Sequence, residues 1–261
     1  FLLFADSIVW RARKQSWIRS NPVEFAFLAV VSIPLWLVFE FYNLFIENWY
    51  YTGLPENFWL RQFGYAWSFA TISPAIFEAA DLIDAWRRPA TGIVFGKRYQ
   101  YIMVNGAGYI FMITVGSAML LWPLVWPSPY LAAPVWLGFI FLLDPINASL
   151  DEQALIADAA NADYRRVVNL ILSGLLCGVL WEFWNFWAGA KWHYTVPIME
   201  RLKIFEMPVP GYLGFPAFAL ECFTMYVFGR AMVKRVVPSL APRLTYSIAV
   251  ADPTPGRMIR R

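Results

Sequence analysis

Histidine occurs once in this chain of 261 residues, as His193, and cysteine twice, as Cys177 and Cys222. Both scarcities exclude chemistry. A carboxylate-bridged di-iron bundle needs Glu-x-x-His pairs, which one histidine cannot supply, and an axial-histidine haem would have a single candidate ligand at a segment end. Two cysteines inside apolar runs read as buried thiols, not as a disulfide framework or a thiolate metal site. No metal and no cofactor is therefore expected. Charge is sparse too: Asp, Glu, Lys and Arg make up 15% of the chain, against about 25% in soluble domains. The net charge of +3 gathers near segment ends, so it reports topology, and no nucleic-acid partner is expected. A G-x-S-x-G elbow, a P-loop and a Rossmann fingerprint are all missing. So are a soluble domain, a low-complexity tract and a cleavable signal.

What is present is apolar and aromatic. Hydrophobic residues make up 59% of the chain and aromatics 19%, with 14 Trp, more than interfacial belts need. Crossing a hydrocarbon core of roughly 30 Å takes about 20 helical residues. Six segments meet that length, near 24–46, 62–83, 102–125, 129–149, 167–188 and 212–233. The fold class is thus all-α, a polytopic bundle of six transmembrane helices, in the inner (plasma) membrane. Arg11, Arg13, Lys14 and Arg19 precede the first span, and Arg87, Arg88, Lys97 and Arg98 follow the second. Arg165 and Arg166 precede the fifth, and Arg230, Lys234 and Arg235 follow the sixth. By the positive-inside rule both termini are cytoplasmic.

Two stretches repeat one another. Residues 38–55 read VFEFYNLFIENWYYTGLP and residues 180–197 read LWEFWNFWAGAKWHYTVP. Glu40, Asn43, Trp49 and Tyr51 correspond to Glu182, Asn185, Trp192 and Tyr194. Farther on, SPAIFE ends in Glu78 and FPAFALE in Glu221, each at the same spacing before an arginine, Arg87 or Arg230. One copy is a span with E-F-x-N, an outer loop with W-x-Y-T, and a span with Pro and Glu. An even number of passes separates the copies, so the repeat is parallel. The chain divides into an interfacial amphipathic segment (1–23), repeat unit 1 (24–100), connecting helices with a cytoplasmic loop (101–166), repeat unit 2 (167–235) and a cytoplasmic tail (236–261). A shorter echo, DPIN at 144–147, runs the opposite way.

Carboxylates among aromatics inside a membrane carry a functional expectation. Glu40 and Asn43 share a helical face, and at 1.5 Å per residue Glu40 and Glu78 differ by about 10 Å in depth. A carboxyl deprived of water holds its proton and can act as general acid; aromatic faces then stabilise the carbocation formed. Glu221 and Glu78, nearest the midplane, are the expected proton donors, with Glu182 and Glu40 as stabilising partners. Asn43, Asn185, Trp181, Trp184, Trp49, Trp192, Tyr51 and Tyr194 are the expected substrate-binding residues. The substrate would be a membrane lipid or isoprenoid entering sideways between helices.

This pattern resembles the small integral-membrane lycopene cyclases of the bacterial and fungal type, built from tandem related units. The matching residues are Glu40, Trp49, Tyr51, Pro74 and Glu78 in one unit and Glu182, Trp192, Tyr194, Gly211, Pro216 and Glu221 in the other. The resemblance covers the two repeat blocks, in which single glutamates stand where that family has an adjacent Glu pair. It implies a carotenoid- or isoprenoid-directed cyclase. The residues also fit a transporter or channel with carboxylates at the repeat interface. A third fit is an accessory subunit of a membrane energy-transducing complex, its Trp-rich faces against a membrane-protein partner.

Overall fold

Pro22 opens the first long helix at a position where its missing N–H costs nothing, and Glu47 ends it in the left-handed conformation, donating to the Asn43 carbonyl. Between them α3 (Pro22–Ile46) runs 25 residues, about 37 Å at 1.5 Å per residue. The computed structural model describes residues 1–87, 106–199 and 201–251, and through them the chain is mostly helical. Ahead of α3 lie α1 (Leu2–Arg13) and α2 (Trp17–Ser20). After the gap come α6 (Gly106–Val125), α7 (Ala132–Ser149), the short α8 (Leu155–Ala160), α9 (Arg165–Trp187) and α10 (Gly214–Val236). Among the described residues five helices are long and apolar enough to cross a bilayer: α3, α6, α7, α9 and α10, with short 3₁₀ turns extending α7 and α10. This is a multi-pass membrane protein. Arg88, Lys97, Arg98, Glu200 and the first residues of the predicted third span lie outside the described residues.

The predicted span at 62–83 is not one helix. It is α4 (Phe58–Ala70) and α5 (Ile72–Trp86), 13 and 15 residues long, parted at Thr71. Pro74 is the cause: without an N–H it cannot answer the Ala70 carbonyl. The break is then stabilised from outside. Ser32 of α3 donates to the Phe69 carbonyl at 2.6 Å and accepts from the Ser73 N–H at 3.1 Å. Pro216 sits at the same place, third in its helix, in α10.

Helix α6 packs on α7, α7 on α10, α10 on α9, and α9 on α5, while α3 crosses both α4 and α5. Gly174 and Gly178 of α9 let α10 close in: a methyl group on either would strike Phe215. Small residues four apart serve such close approaches in membranes. Within the N-terminal segment read as interfacial, Ala5, Asp6 and Val9 of α1 are buried, in contact with α5. Leu3 and Phe4 face outward, and Trp17 is fully buried 4.1 Å from the Tyr246 ring.

Tyr246 belongs to the segment expected as a cytoplasmic tail, where residues 244–250 form a strap whose Leu244, Tyr246, Ile248 and Ala249 are buried. Its backbone supplies donors to buried carboxylates: Tyr246 N–H to Glu24 (2.8 Å) and Ala249 N–H to Asp81 (3.0 Å). The Tyr246 hydroxyl also reaches Asp81, at 2.7 Å. Its carbonyls take donors from Arg230, Arg166, Asn169 and Gln153. Arg230 pairs with Glu24 at 2.9 Å, the side chains 1% and 0% exposed. Arg13 pairs with Asp81 and Asp84. Arg13, Arg166 and Arg230, placed at span ends as topology markers, are thus partners in a buried ionic layer. The DPIN echo has its own structural use. Asp144 accepts the Leu155 and Ile156 N–H groups, starting α8, and Asn147 donates to the Thr224 carbonyl.

Candidate functional site

Both E-F-x-N segments end their helices, α3 and α9, directly beneath a strand. These are β1 (Trp49–Thr52) and β2 (Lys191–Tyr194), which pair antiparallel. Asn43 holds β1 by its amide, accepting from the Trp49 N–H (3.2 Å) and donating to the Trp49 carbonyl (2.7 Å). Asn185 grips Trp192 in the same two-point manner, both bonds at 2.9 Å. The two asparagines expected to bind substrate are therefore clamps on a backbone, although Asn185 also touches the cavity described below.

The register sets Trp49 opposite Tyr194, Tyr50 opposite His193 and Tyr51 opposite Trp192. Side chains alternate along a strand, so Trp49, Tyr51, Trp192 and Tyr194 share one face, as two Trp–Tyr cross-strand pairs of the kind that stabilise sheets. Tyr50 and His193 stack on the other face, ring centroids 5.4 Å apart. Gly53 leaves β1 at a positive φ of 66°, where a side chain would meet the Gly189 carbonyl.

Each glutamate lies behind the aromatics of its own copy. Glu40 Oε1 accepts from Trp36 Nε1 (2.8 Å), Trp49 Nε1 (3.2 Å) and the Tyr51 hydroxyl (2.5 Å). Glu182 Oε1 accepts from Trp192 Nε1 (3.3 Å) and the Tyr194 hydroxyl (2.8 Å). The copies then differ. Glu182 is fully buried, and its Oε2 has no partner among the described residues. Burial, then the neighbouring Glu182 charge, raise Tyr194 well above the ordinary tyrosine value. Burial and Glu40 do the same to Tyr51.

Under this face of the ribbon is a cavity of about 750 Å³. Tyr51, Tyr194, Trp49 and Trp192 line it together with Trp36, Trp136, Trp181, Trp184 and Phe218. Phe218 stands edge-on to Trp36 and Trp136, with centroids 5.5 and 5.4 Å away. The size falls within the 300–1,000 Å³ usual for ligand sites. A hairpin of β3 (Lys203–Ile204) and β4 (Met207–Pro208) closes one side through Met207. It is tied to the ribbon by Glu206, which meets Lys191 Nζ at 3.2 Å and His193 Nδ1 at 3.2 Å. Partial burial pushes the Glu206 carboxyl up, but the Lys191 and His193 contacts outweigh this and hold it below its usual range.

The four glutamates do not meet at one point. Glu221 is fully buried, and its Oε1 accepts from the Phe139 N–H of α7 at 3.2 Å. Glu78 is fully buried in α5, its carboxyl within electrostatic reach of Asp6, Asp81 and Arg13. Neither is on the cavity wall. Depth, on which both were expected to be donors, says nothing about which way a side chain points. Sequence reasoning missed Trp36, Trp136 and Phe218 as cavity residues. The signal available was Trp36, one turn before Glu40 on the same face. No protein-family model, no curated protein and no solved structure matches this chain.

Proposed function

We propose that this membrane protein is an acid–base catalyst that cyclises or isomerises a lipophilic, unsaturated substrate of the isoprenoid class in the aromatic cavity. The observation that carries the reading is Tyr194 on the cavity wall, backed by Glu182, whose Oε2 is buried without a partner among the described residues. In turnover the Tyr194 hydroxyl, which donates to Glu182 Oε1 at rest, turns to the substrate double bond and releases its proton there, as a protonated Glu182 gives its own proton from that side to the Tyr194 oxygen. This leaves a glutamate anion and a substrate cation. Facing indoles and phenyl rings stabilise the cation without capturing it. Loss of a proton from a neighbouring carbon, returned through Tyr194 to Glu182, ends the turnover with no net change in protonation. Glu40, whose Oε1 already accepts three donors, acts as the stabilising partner.

The same reading takes the copies as two related units about a pseudo-twofold axis through the Tyr50–His193 pair. The ribbon register supports this, because each Trp faces the Tyr of the other copy. It sets the ribbon at the outer surface, with both termini cytoplasmic. A subunit role draws on a different observation: Trp59, Phe63 and Trp67 form an outward stripe on α4, 78%, 64% and 68% exposed. A membrane-protein partner or lipid would cover it.

The test is a comparison of lipid extracts, by mass spectrometry, from cells expressing the native chain, Glu182→Gln, Tyr194→Phe and Glu40→Gln. General-acid catalysis contributes about 10²–10⁴-fold, so Glu182→Gln and Tyr194→Phe should abolish the product and Glu40→Gln should reduce it less. An unchanged product profile in the first two variants refutes the proposal.

A further inference from the structure

Among the described residues only two charged side chains touch the cavity, Arg61 and Lys191, and no carboxylate does. They are not equivalent. Lys191 is neutralised by Glu206 at 3.2 Å and lies over the Phe186 ring. The Arg61 guanidinium, half-buried in the first turn of α4, has neither an ion pair nor a hydrogen bond among the described residues. A fixed cation beside an apolar space, in a membrane protein, is costly unless something anionic compensates it. Guanidinium is the side chain best matched to the planar, two-point geometry of phosphate and carboxylate.

Position adds direction. Tyr65 stands one turn beyond Arg61 on the same face, about 5–6 Å on, and its ring meets that of Tyr51 edge-on at 5.8 Å. Tyr51 in turn bonds Glu40. Arg61 is thus linked through Tyr65 to the glutamate-backed Tyr51, in a cavity whose wall also carries Trp136 and Phe218.

We infer that the cavity's ligand is an anionic amphiphile: one apolar, unsaturated chain bearing a phosphate or carboxylate head that Arg61 binds. The chain then runs past Tyr51 and Tyr194, several bonds from the head. This rests on the cavity being the substrate site, and it adds a specificity that a neutral hydrocarbon would not satisfy. The head could belong to such a ligand, to a bilayer phospholipid, or to free phosphate, and the probes separate these sources.

The experiment titrates the purified full chain in neutral detergent with geranylgeranyl monophosphate and with geranylgeraniol, following quenching of tryptophan fluorescence. Inorganic phosphate and phosphatidylglycerol, each added before the phosphate probe, serve as competitors. Charge-assisted bonds to a guanidinium support a preference of about tenfold or more for the phosphate over the alcohol. Arg61→Gln should remove that preference and leave the alcohol's affinity unchanged, while Arg61→Lys keeps part of it. Equal affinity for both probes in the native chain overturns the inference and leaves the cavity reading intact. That comparison needs no variant, so it stands even if Arg61→Gln fails to fold. Full competition by inorganic phosphate or by phosphatidylglycerol overturns it as well, assigning Arg61 to free phosphate or to the bilayer headgroup. Binding of neither probe overturns both this inference and the cavity reading.

Discussion

Replacing Asn43 or Asn185 by alanine tests whether the ribbon is held from below. In each case the truncation strands polar groups that the amide had satisfied. Asn43→Ala frees the N–H and carbonyl of Trp49, which is 7% exposed, and the N–H of Asn48, which is buried. Asn185→Ala frees the N–H and carbonyl of Trp192, which is half-buried. An unmade bond costs about 1–3 kcal/mol where water cannot replace it. Taking the lower half of that range for a partly wet site, about 1–2 kcal/mol for each group, Asn185→Ala costs about 2–4 kcal/mol and Asn43→Ala about 3–6 kcal/mol. The double variant should lose less than the sum, by at least about 0.5 kcal/mol, because the two strands pair and either loss frees both. Denaturation in mixed micelles, followed by tryptophan fluorescence, measures all three. A cost below about 0.5 kcal/mol for Asn43→Ala, or a larger cost at Asn185 than at Asn43, would show the clamps to be incidental.

Arg230→Leu leaves Glu24 buried without its ion pair and should destabilise the fold by about 3–5 kcal/mol; a thermal shift assay that finds the variant as stable as the native chain refutes this. Gly178→Val places methyls into the Phe215 ring and should force α9 and α10 apart, with a lower melting temperature than Gly64→Val, whose site is open. The hairpin's tether should depend on pH. Because the folded Glu206 carboxyl lies below its usual value, its contribution is complete above the unfolded value, about 4.3. It is lost as pH falls through the folded one. Hydrogen exchange of residues 203–208 should show protection falling in that acid range, and Glu206→Gln should remove the dependence; protection independent of pH in the native chain contradicts the assignment.

The arrangement of Glu40, Asn43, Trp49 and Tyr51 was legible because every member lies within one helix end and one short connection. Local spacing fixes such neighbours, and Glu182, Asn185, Trp192 and Tyr194 repeat the spacing nearly unchanged. The pairing of β1 with β2 was not legible, since it joins residues some 140 positions apart and leaves no local period. Thr71 illustrates a different failure. Pro74 was visible, but whether a proline kinks a membrane helix or splits it depends on what fills the gap, here Ser32 from another helix. Glu78 and Glu221 occupy matching sequence positions in dissimilar surroundings, because α1 lies against α5 while α7 lies against α10. The strap at 244–250 defeated the reading because its partners, Glu24, Asp81, Arg166 and Arg230, come from four helices.

That strap has a consequence for biogenesis. Residues 244–250 leave the ribosome after every membrane-spanning helix described here, so the bundle is threaded into the bilayer while Glu24 and Asp81 still lack the backbone donors they finally hold. Insertion and completion are then separate events. With the strap undocked, Glu24, Asp81, Arg166 and Arg230 lack the backbone partners it supplies. A lesion confined to these few residues should therefore lower the amount of finished protein in the membrane without altering how many times the chain crosses it.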